Sequence, residues 1–319
     1  MIGQSARLCI DYGSGASGPA TVIVKFPTQT EGNRVVADTF DMYGREVRFY
    51  QTIAGQTPAR APRPFHAEMA EENSDFVLLL EDLSACRLGD QLAGADLADA
   101  HAAIDQMARL HATWWGRTDD PALSWIPIHD NPVQAGGMSQ GFAAGWPVFL
   151  ELFGDVLPGG RAEEYARIGP STADCLRRMC GGVLTVVHGD FRLDNIFFDV
   201  PDDPTGVALF DWQGISKSCG PQDLGYFMSQ SLRSEVRREY GSALVERYRE
   251  KLLQAGVEGY SADQCWADYR ASVLYLFTFA IVIAGTLDHS NERGREMLRA
   301  LASRSAETIA EIEALALLD

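Results

Sequence analysis

The sequence HGDFRLDN at residues 188–195 and the sequence FDWQ at residues 210–213 decide the fold of this chain. Apolar residues at 183–187 and 207–211 predict two short strands that lead into these stretches. Another strand is predicted at 196–199, and the turn sequence PDDPTG joins it to the next strand as a hairpin. The two ends of a hairpin come together, so we expect the polar residues of both stretches to lie over one site.

Three side chains in these stretches have the chemistry that phosphoryl transfer needs. The reaction needs a carboxylate near the acceptor hydroxyl and oxygen ligands for Mg²⁺ between the β- and γ-phosphates. Asp190 can supply the carboxylate, either as the catalytic base or as the group that orients the hydroxyl. Asn195 and Asp211 can hold the Mg²⁺. The alternative is that all three are solvated loop residues, which the combined pattern disfavours.

The two stretches resemble those of the aminoglycoside phosphotransferase and choline kinase superfamily, whose catalytic loop reads HGDxxxxN. The likeness is greatest to its ecdysteroid-kinase-like branch and to phosphotransferase domains associated with acyl-CoA dehydrogenases. Further support comes from VKFP at 24–27, REVRFY at 45–50, LLLEDL at 78–83 and DLGY at 223–226. The resemblance covers about residues 6–248 and implies ATP and Mg²⁺ as cofactors.

The resemblance also implies roles for residues around the nucleotide. Lys25 would contact the α- and β-phosphates, held by Glu46 of the following helix. Arg192 would stabilise charge on the γ-phosphate; an exposed arginine without this role is the alternative. The carbonyl of Glu81 and the amide of Leu83 would bind adenine at the hinge between two lobes.

Three further residues are predicted to have structural roles. His188 is expected to brace the catalytic loop through hydrogen bonds rather than to titrate. Asp223 resembles the family aspartate that supports this loop from the second lobe. His111 lies on a long apolar helical pattern and is predicted to be a packing histidine.

The resemblance implies an α+β, protein-kinase-like fold with two lobes. We predict a small β-rich N-terminal lobe at 1–85 that binds nucleotide, and a mainly helical lobe at 86–319 with the catalytic loop and acceptor-binding helices. The main predicted elements are strands at 6–12, 21–26 and 76–80 and helices at 34–53, 96–115 and 171–179, with helices dominating from 225 onward. In the resembled kinases another strand and a glycine loop come first, so we expect a lobe truncated at its start.

Composition limits the partners and the location. The formal net charge of -17 argues against nucleic-acid binding, which requires a basic surface. None of the six cysteines forms a Cys-x-x-Cys pair, so a zinc site is not expected. Dispersed cysteines in a chain of this length indicate a reducing compartment. The most apolar run, 273–285, is too short to span a membrane and predicts a buried helix. We expect a cytoplasmic protein with no membrane partner, and the oligomeric state stays open.

The predicted function is phosphorylation of a hydroxyl on a small, apolar metabolite. An acceptor of the aminoglycoside or choline type is the alternative, since an acidic surface attracts cations. A protein substrate is disfavoured because no Ala-Pro-Glu motif follows the metal aspartate. A non-catalytic nucleotide-binding module should have lost one of the four main site residues, yet all are present, at Lys25, Asp190, Asn195 and Asp211.

Overall fold

The computed structural model describes residues 2–70, 72–286 and 291–319. Its N-terminal lobe contains a four-stranded antiparallel sheet in the order β1-β2-β4-β3. The strands are β1 (Gly3–Cys9), β2 (Thr21–Pro27), β3 (Pro64–Met69) and β4 (Phe76–Glu81). Between β2 and β3 the chain forms helices α1 (Glu31–Thr39) and α2 (Met42–Arg48), and α2 continues into a π-helical turn at Phe49–Ile53.

Two of the observed strands of this lobe differ from the sequence prediction. The first strand was predicted at 6–12 but lies at Gly3–Cys9, paired with β2 over its whole length. Nearly all its side chains are exposed, so their alternation in the sequence carries no information about its bounds. Strand β3 was not predicted from the sequence. Pro64 occupies the first position of this edge strand, where a missing amide is tolerated.

The single helix predicted at 34–53 was wrong, because two helices meet at a sharp break. Asp41 adopts a left-handed backbone conformation with φ of 49°. Its carboxylate accepts a hydrogen bond from Arg48 Nη1 at 2.7 Å and packs over Gly44, where a Cβ atom would collide with it. This break lets α2 turn independently of α1 and point Glu46 toward the sheet.

The C-terminal lobe is mainly helical and is larger, in agreement with the predicted α+β, two-lobed architecture. Its helices are α3 (Leu97–Trp114), α4 (Pro132–Phe153), α5 (Ala162–Ala166), α6 (Thr172–Cys180), α7 (Pro221–Tyr226), α8 (Ser234–Gln254), α9 (Ala262–Thr286) and α10 (Glu292–Glu311). Its short strands are β5 (Arg87–Leu88), β6 (Thr185–Val187), β7 (Ile196–Phe198), β8 (Val207–Leu209) and β9 (Ser216–Ser218). Strand β7 pairs with β5 and β8, and β6 pairs with β9.

Helix α9 is the central helix of the second lobe. The run at 273–285 lies within this helix, whose 25 residues and apolar composition would suffice by length and composition to cross a membrane. However, 67% of its most apolar window is buried inside the protein, where it packs against α4, α6, α7 and α10. Gly145 of α4 approaches the Ile281 carbonyl so closely that a Cβ atom would collide with it. The helix is therefore the buried core helix that the sequence predicted.

Candidate active site

A cavity of about 600 Å³ lies between the two lobes. It is lined from the first lobe by strands β1, β2 and β4 and by helix α2, and from the second by the loops that follow β6 and β8. All eight residues predicted to be catalytic, nucleotide-binding or metal-binding line it: Lys25, Glu46, Glu81, Leu83, Asp190, Arg192, Asn195 and Asp211. We call this cavity the interlobe cleft.

Three charged side chains meet in the cleft and join the lobes. Lys25 Nζ on β2 lies 2.6 and 2.8 Å from the two Glu46 carboxylate oxygens and 2.9 Å from Asp211 Oδ1. Glu46 is completely buried. Burial lowers the pKa of Lys25, but the carboxylates of Asp211 and Glu46 outweigh this effect, so the pKa lies above its usual value. Lys25 therefore carries a positive charge at the position predicted for the phosphates.

The Asp190 carboxylate lies in the cleft beside the metal-binding candidates. Asn195 Nδ2 donates hydrogen bonds to Asp190 Oδ2 at 2.8 Å and to the Asp190 carbonyl at 2.9 Å. Arg192 Nε lies 3.4 Å from Asp190 Oδ1. Burial raises the pKa of Asp190, but Arg192, His188 and hydrogen bonds from Tyr226 and Asn195 together lower it below its usual value. Asp190 is thus held ionised.

Asp223 and His188 hold the catalytic loop from behind. Asp223 is fully buried and accepts hydrogen bonds from the backbone amides of His188, at 2.7 Å, and Gly189, at 2.9 Å. His188 Nε2 lies 3.0 Å from the Phe210 carbonyl, one residue before Asp211. Gly189 has a φ of 81°, and a Cβ atom there would collide with the Gly214 carbonyl. The two loops of the site are therefore fixed to each other.

His111 is buried, as the sequence predicted, and both of its ring nitrogens also have hydrogen-bond partners. Its Nε2 lies 3.1 Å from Asp223 Oδ2, and its Nδ1 lies 2.8 Å from the Tyr248 hydroxyl. Since a carboxylate only accepts hydrogen bonds, Nε2 carries the proton and Nδ1 accepts one from Tyr248. The sequence did not indicate this chain of contacts, because His111 is more than a hundred residues away from both Asp223 and Tyr248.

The oxygen atoms of Asn195 and Asp211 fit a Mg²⁺ ion, which prefers carboxylate and amide oxygens. The Asn195 amide nitrogen is bonded to Asp190, so its oxygen is the atom available for a metal. Nowhere in residues 2–70, 72–286 and 291–319 do three His, Cys, Asp or Glu side chains gather to hold a metal by themselves. A Mg²⁺ ion at this pair would therefore be completed by phosphate oxygens and water.

The two hinge residues line the cleft at the other end. The Glu81 carboxylate accepts hydrogen bonds from Arg60 Nη2 at 2.6 Å and from the Arg63 amide at 3.0 Å. Burial raises the pKa of Glu81, but these bonds outweigh it and the pKa lies below its usual value. The Glu81 carboxylate is thus paired with Arg60 and with the Arg63 amide.

Sequence reasoning missed several residues that line the cleft or contact Asp190. Ile2–Ser5 at the start of β1 line the cleft beside Lys25, as does Gln213. Tyr226 on α7 hydrogen-bonds to Asp190, as its effect on the Asp190 pKa indicates. The FDWQ and DLGY motifs contain Gln213 and Tyr226, so a signal existed, but only the motif aspartates were interpreted.

Several solved structures have a similar fold, and three of them are named as kinases or phosphotransferases of small molecules. An aminopropanol kinase associated with a microcompartment is 15% identical, with 98% of this chain and 94% of that chain covered and a TM-score of 0.54. The GDP complex of aminoglycoside 2'-phosphotransferase-IIIa is 11% identical, with 95% and 93% covered and a TM-score of 0.53. An amicoumacin kinase in complex with AMP-PNP and Ca²⁺ is 12% identical, with 90% and 82% covered and a TM-score of 0.51. These similarities show the kinase-like fold.

The sequence itself identifies the family. No curated protein matches the chain. The model of the ecdysteroid kinase-like family matches residues 2–257. This range includes all the residues that line the interlobe cleft and all the predicted site residues. The chain therefore belongs to the ecdysteroid kinase-like family, as its catalytic loop and metal aspartate had indicated.

Proposed function

We propose that this protein transfers the γ-phosphate of ATP, bound with Mg²⁺, to a hydroxyl of a small apolar metabolite. One observation carries the proposal: Lys25, Glu46, Asp190, Asn195 and Asp211 all gather in the interlobe cleft. The complete set disfavours a nucleotide-binding module without catalysis. The family and the kinases of similar fold support phosphotransfer to small molecules in general. In this proposal the lobe at 1–85 binds the nucleotide, and the lobe at 86–319 provides the catalytic loop and the acceptor site.

Each of these residues of the cleft has a separate role in the proposed reaction. Lys25, held by Glu46, binds the phosphates through its positive charge. Asn195 and Asp211 would hold Mg²⁺, which neutralises phosphate charge. Asp190, kept ionised, accepts the hydrogen bond of the acceptor hydroxyl and directs its oxygen to the γ-phosphorus. Arg192, beside Asp190, offers a guanidinium to the charge that develops on the transferred group.

The choice of an apolar acceptor rests on the resemblance to the ecdysteroid kinase-like family. Tyr226, which lies beside Asp190, is 7% exposed and packs against Phe279 of α9 with ring centroids 6.3 Å apart, and Phe279 packs against Tyr275 at 5.6 Å. These three aromatic residues belong to the packing of the second lobe and are not among the residues that line the interlobe cleft.

The experiment is a screen of hydroxylated metabolites for ATP consumption, together with thermal shifts. We expect ATP to raise the melting temperature more with Mg²⁺ than with EDTA, and apolar alcohols to be phosphorylated. Stabilisation that is equal in both conditions would contradict the metal site. Turnover restricted to aminoglycosides or choline-like amines would replace the apolar acceptor by a cationic one.

We also infer that the protein acts in the cytoplasm. All six cysteines are free, and Cys9 is exposed, which suits a reducing compartment. The net charge of -17 disfavours nucleic-acid and anionic-membrane partners, which bind basic surfaces. The expected partner is the small hydroxylated substrate alone.

A further inference from the structure

Gln213 lies in the interlobe cleft and has no part in the proposed mechanism. It follows Asp211 by two residues and is the middle residue of a short helical turn, Trp212–Gly214. The residue is only 6% exposed, yet it lines the cleft together with Lys25 and Glu46. A glutamine amide is therefore buried at the point where the predicted phosphate-binding lysine and the metal aspartate meet.

The Gln213 side chain contains a buried donor that is not fully used. Within the part of the chain that the structure describes, Gln213 Nε2 makes no hydrogen bond of normal geometry. A weak hydrogen bond from this amide to Glu46 is the least of five influences on the pKa of the Glu46 carboxyl, and it can engage only one of the two Nε2 protons. Buried donors in native proteins are nearly always paired, and an unpaired one costs about 1–3 kcal/mol. An unpaired donor at a ligand cleft indicates that the ligand supplies the acceptor.

The start of β1 lies directly over this amide. A Cβ atom on Gly3 would lie 3.3 Å from Gln213 Nε2 and 3.1 Å from Lys25 Cε. The strand is held there by Tyr43 of α2, whose hydroxyl donates to the Ile2 carbonyl at 2.6 Å. Because Gly3 has no side chain, no Cβ atom stands between the start of β1 and the amide.

We propose that Gln213 is a nucleotide-binding residue whose Nε2 donates a hydrogen bond to a phosphate oxygen next to Lys25. The acceptor is a nucleoside diphosphate or triphosphate, because Lys25 and Asp211 flank the amide. Gly3 and Gln213 together then cover the phosphates from the β1 side. This inference rests on the proposed function, since it requires that the cleft binds ATP.

Calorimetry with ADP and with adenosine tests the inference. In Gln213→Met the donor is lost, and we expect the Kd of ADP to rise about 10- to 150-fold, as for a hydrogen bond to a charged group. The Kd of adenosine should not change. Unchanged ADP affinity would overturn the inference, as would equal weakening of both ligands. A wild-type protein that binds neither ATP nor ADP would instead refute the proposed function.

A double-mutant cycle separates direct contact from an effect through Glu46. If Gln213 binds phosphate directly, its loss should have the same effect on ADP affinity in wild-type and Glu46→Gln backgrounds. If the effect of Gln213→Met disappears in Glu46→Gln, Gln213 only positions Glu46 and the inference fails.

Two more variants control for folding. Gln213→Glu keeps the shape but places a carboxylate toward the phosphates, so ADP affinity should fall further; an unchanged value would overturn the inference even if Gln213→Met is unstable. Gln222→Met is the matched control. Gln222 is fully buried, with both amide atoms unpaired among the described residues, and it does not line the cleft. We expect its ADP affinity to equal that of wild type.

Discussion

Asp190 lies in the interlobe cleft with its side chain 31% exposed, and its surroundings hold its pKa below the usual value. Burial alone would raise its pKa, but Arg192, His188, Tyr226 and Asn195 all stabilise the charged form. A carboxylate with a low pKa is a weak proton acceptor in the ground state. In the proposed reaction its main contribution would therefore be to orient the acceptor hydroxyl, with proton transfer following as the phosphoryl group arrives.

Replacing Asp190 by Asn should remove this contribution and leave nucleotide binding intact. We expect turnover to fall by about 10²–10⁴-fold, the usual size of general-base effects, while ADP affinity stays within a factor of a few. Steady-state kinetics and calorimetry measure the two quantities. Asp199→Asn is the matched control, because Asp199 is an exposed aspartate that pairs with Arg87 outside the cleft. Near wild-type turnover in Asp190→Asn would refute the role.

The low pKa of Asp190 also sets the pH dependence of the reaction. A carboxyl group whose pKa is depressed in the folded protein loses its charge only when the pH falls through that low value, below its ordinary pKa of about 3.9. We therefore expect no loss of kcat from Asp190 protonation as the pH falls from 8 to about 5. A pH–rate profile measures this. An acid limb near pH 6 that disappears in Asp190→Glu would contradict an ionised Asp190.

At the scale of elements, the helices α3, α7 and α8 meet behind the catalytic loop through three buried side chains. Tyr248 of α8 contacts His111 of α3, His111 contacts Asp223 of α7, and Asp223 holds the loop amides. Gly220 makes this meeting possible, because a Cβ atom there would collide with the Tyr248 hydroxyl. The position of the loop therefore depends on elements from three parts of the sequence.

Removing the Tyr248 hydroxyl should loosen this arrangement. In Tyr248→Phe, His111 loses the partner at Nδ1, so its ring and Asp223 are less well fixed, and we expect kcat to fall several-fold with little change in the KM for ATP. Tyr165→Phe is a matched control, because Tyr165 is equally buried but its hydroxyl donates to the Ala306 carbonyl, away from the loop. Equal kinetic effects of the two variants would show that only packing is lost.

The sequence predicted elements best where one local pattern determines them. The β7–β8 hairpin follows from its turn sequence, and α3 from its helical spacing, and both appear within a few residues of their predicted bounds. Prediction from the sequence failed where a contact between separate residues determines the structure. The break at Asp41 depends on packing against Gly44 and Arg48, and helix α4, with glycines and Pro147 inside it, forms against α9. Such contacts are not visible in a single sequence.

The same distinction applies to the site. Asp190, Asn195 and Asp211 occur in short motifs with fixed spacing, and the sequence predicted that they would meet. The pairing of Lys25 with Glu46 was predicted only from the resemblance to the kinase family, and the structure places the two side chains in contact. The buried donor of Gln213 could not be predicted, because an unpaired amide is recognised only when all its neighbours are known.

At the scale of the whole molecule, the ion cluster of Lys25, Glu46 and Asp211 is a direct link between the lobes. Lys25→Met would leave the buried Glu46 carboxylate without its cation. Removing one partner of a buried ion pair costs about 3–5 kcal/mol, so we expect a lower free energy of unfolding and a melting temperature lower by several degrees. Lys251→Met is the control, because its partly exposed pair with Asp105 should contribute at most about 1 kcal/mol.

The pH dependence of this loss identifies its cause. Burial raises the pKa of Glu46, and without Lys25 nothing as close opposes that effect. A carboxyl group with a raised folded pKa binds a proton more tightly in the folded state, so the stability of Lys25→Met should fall as the pH rises above about 4.3. In Lys25→Met/Glu46→Gln this slope should disappear and part of the stability should return, because a neutral amide can be buried at lower cost. Urea denaturation at pH 5 and pH 8 measures both variants. Parallel pH profiles would show that the lost stability comes from packing of the lysine stem rather than from the uncompensated charge of Glu46.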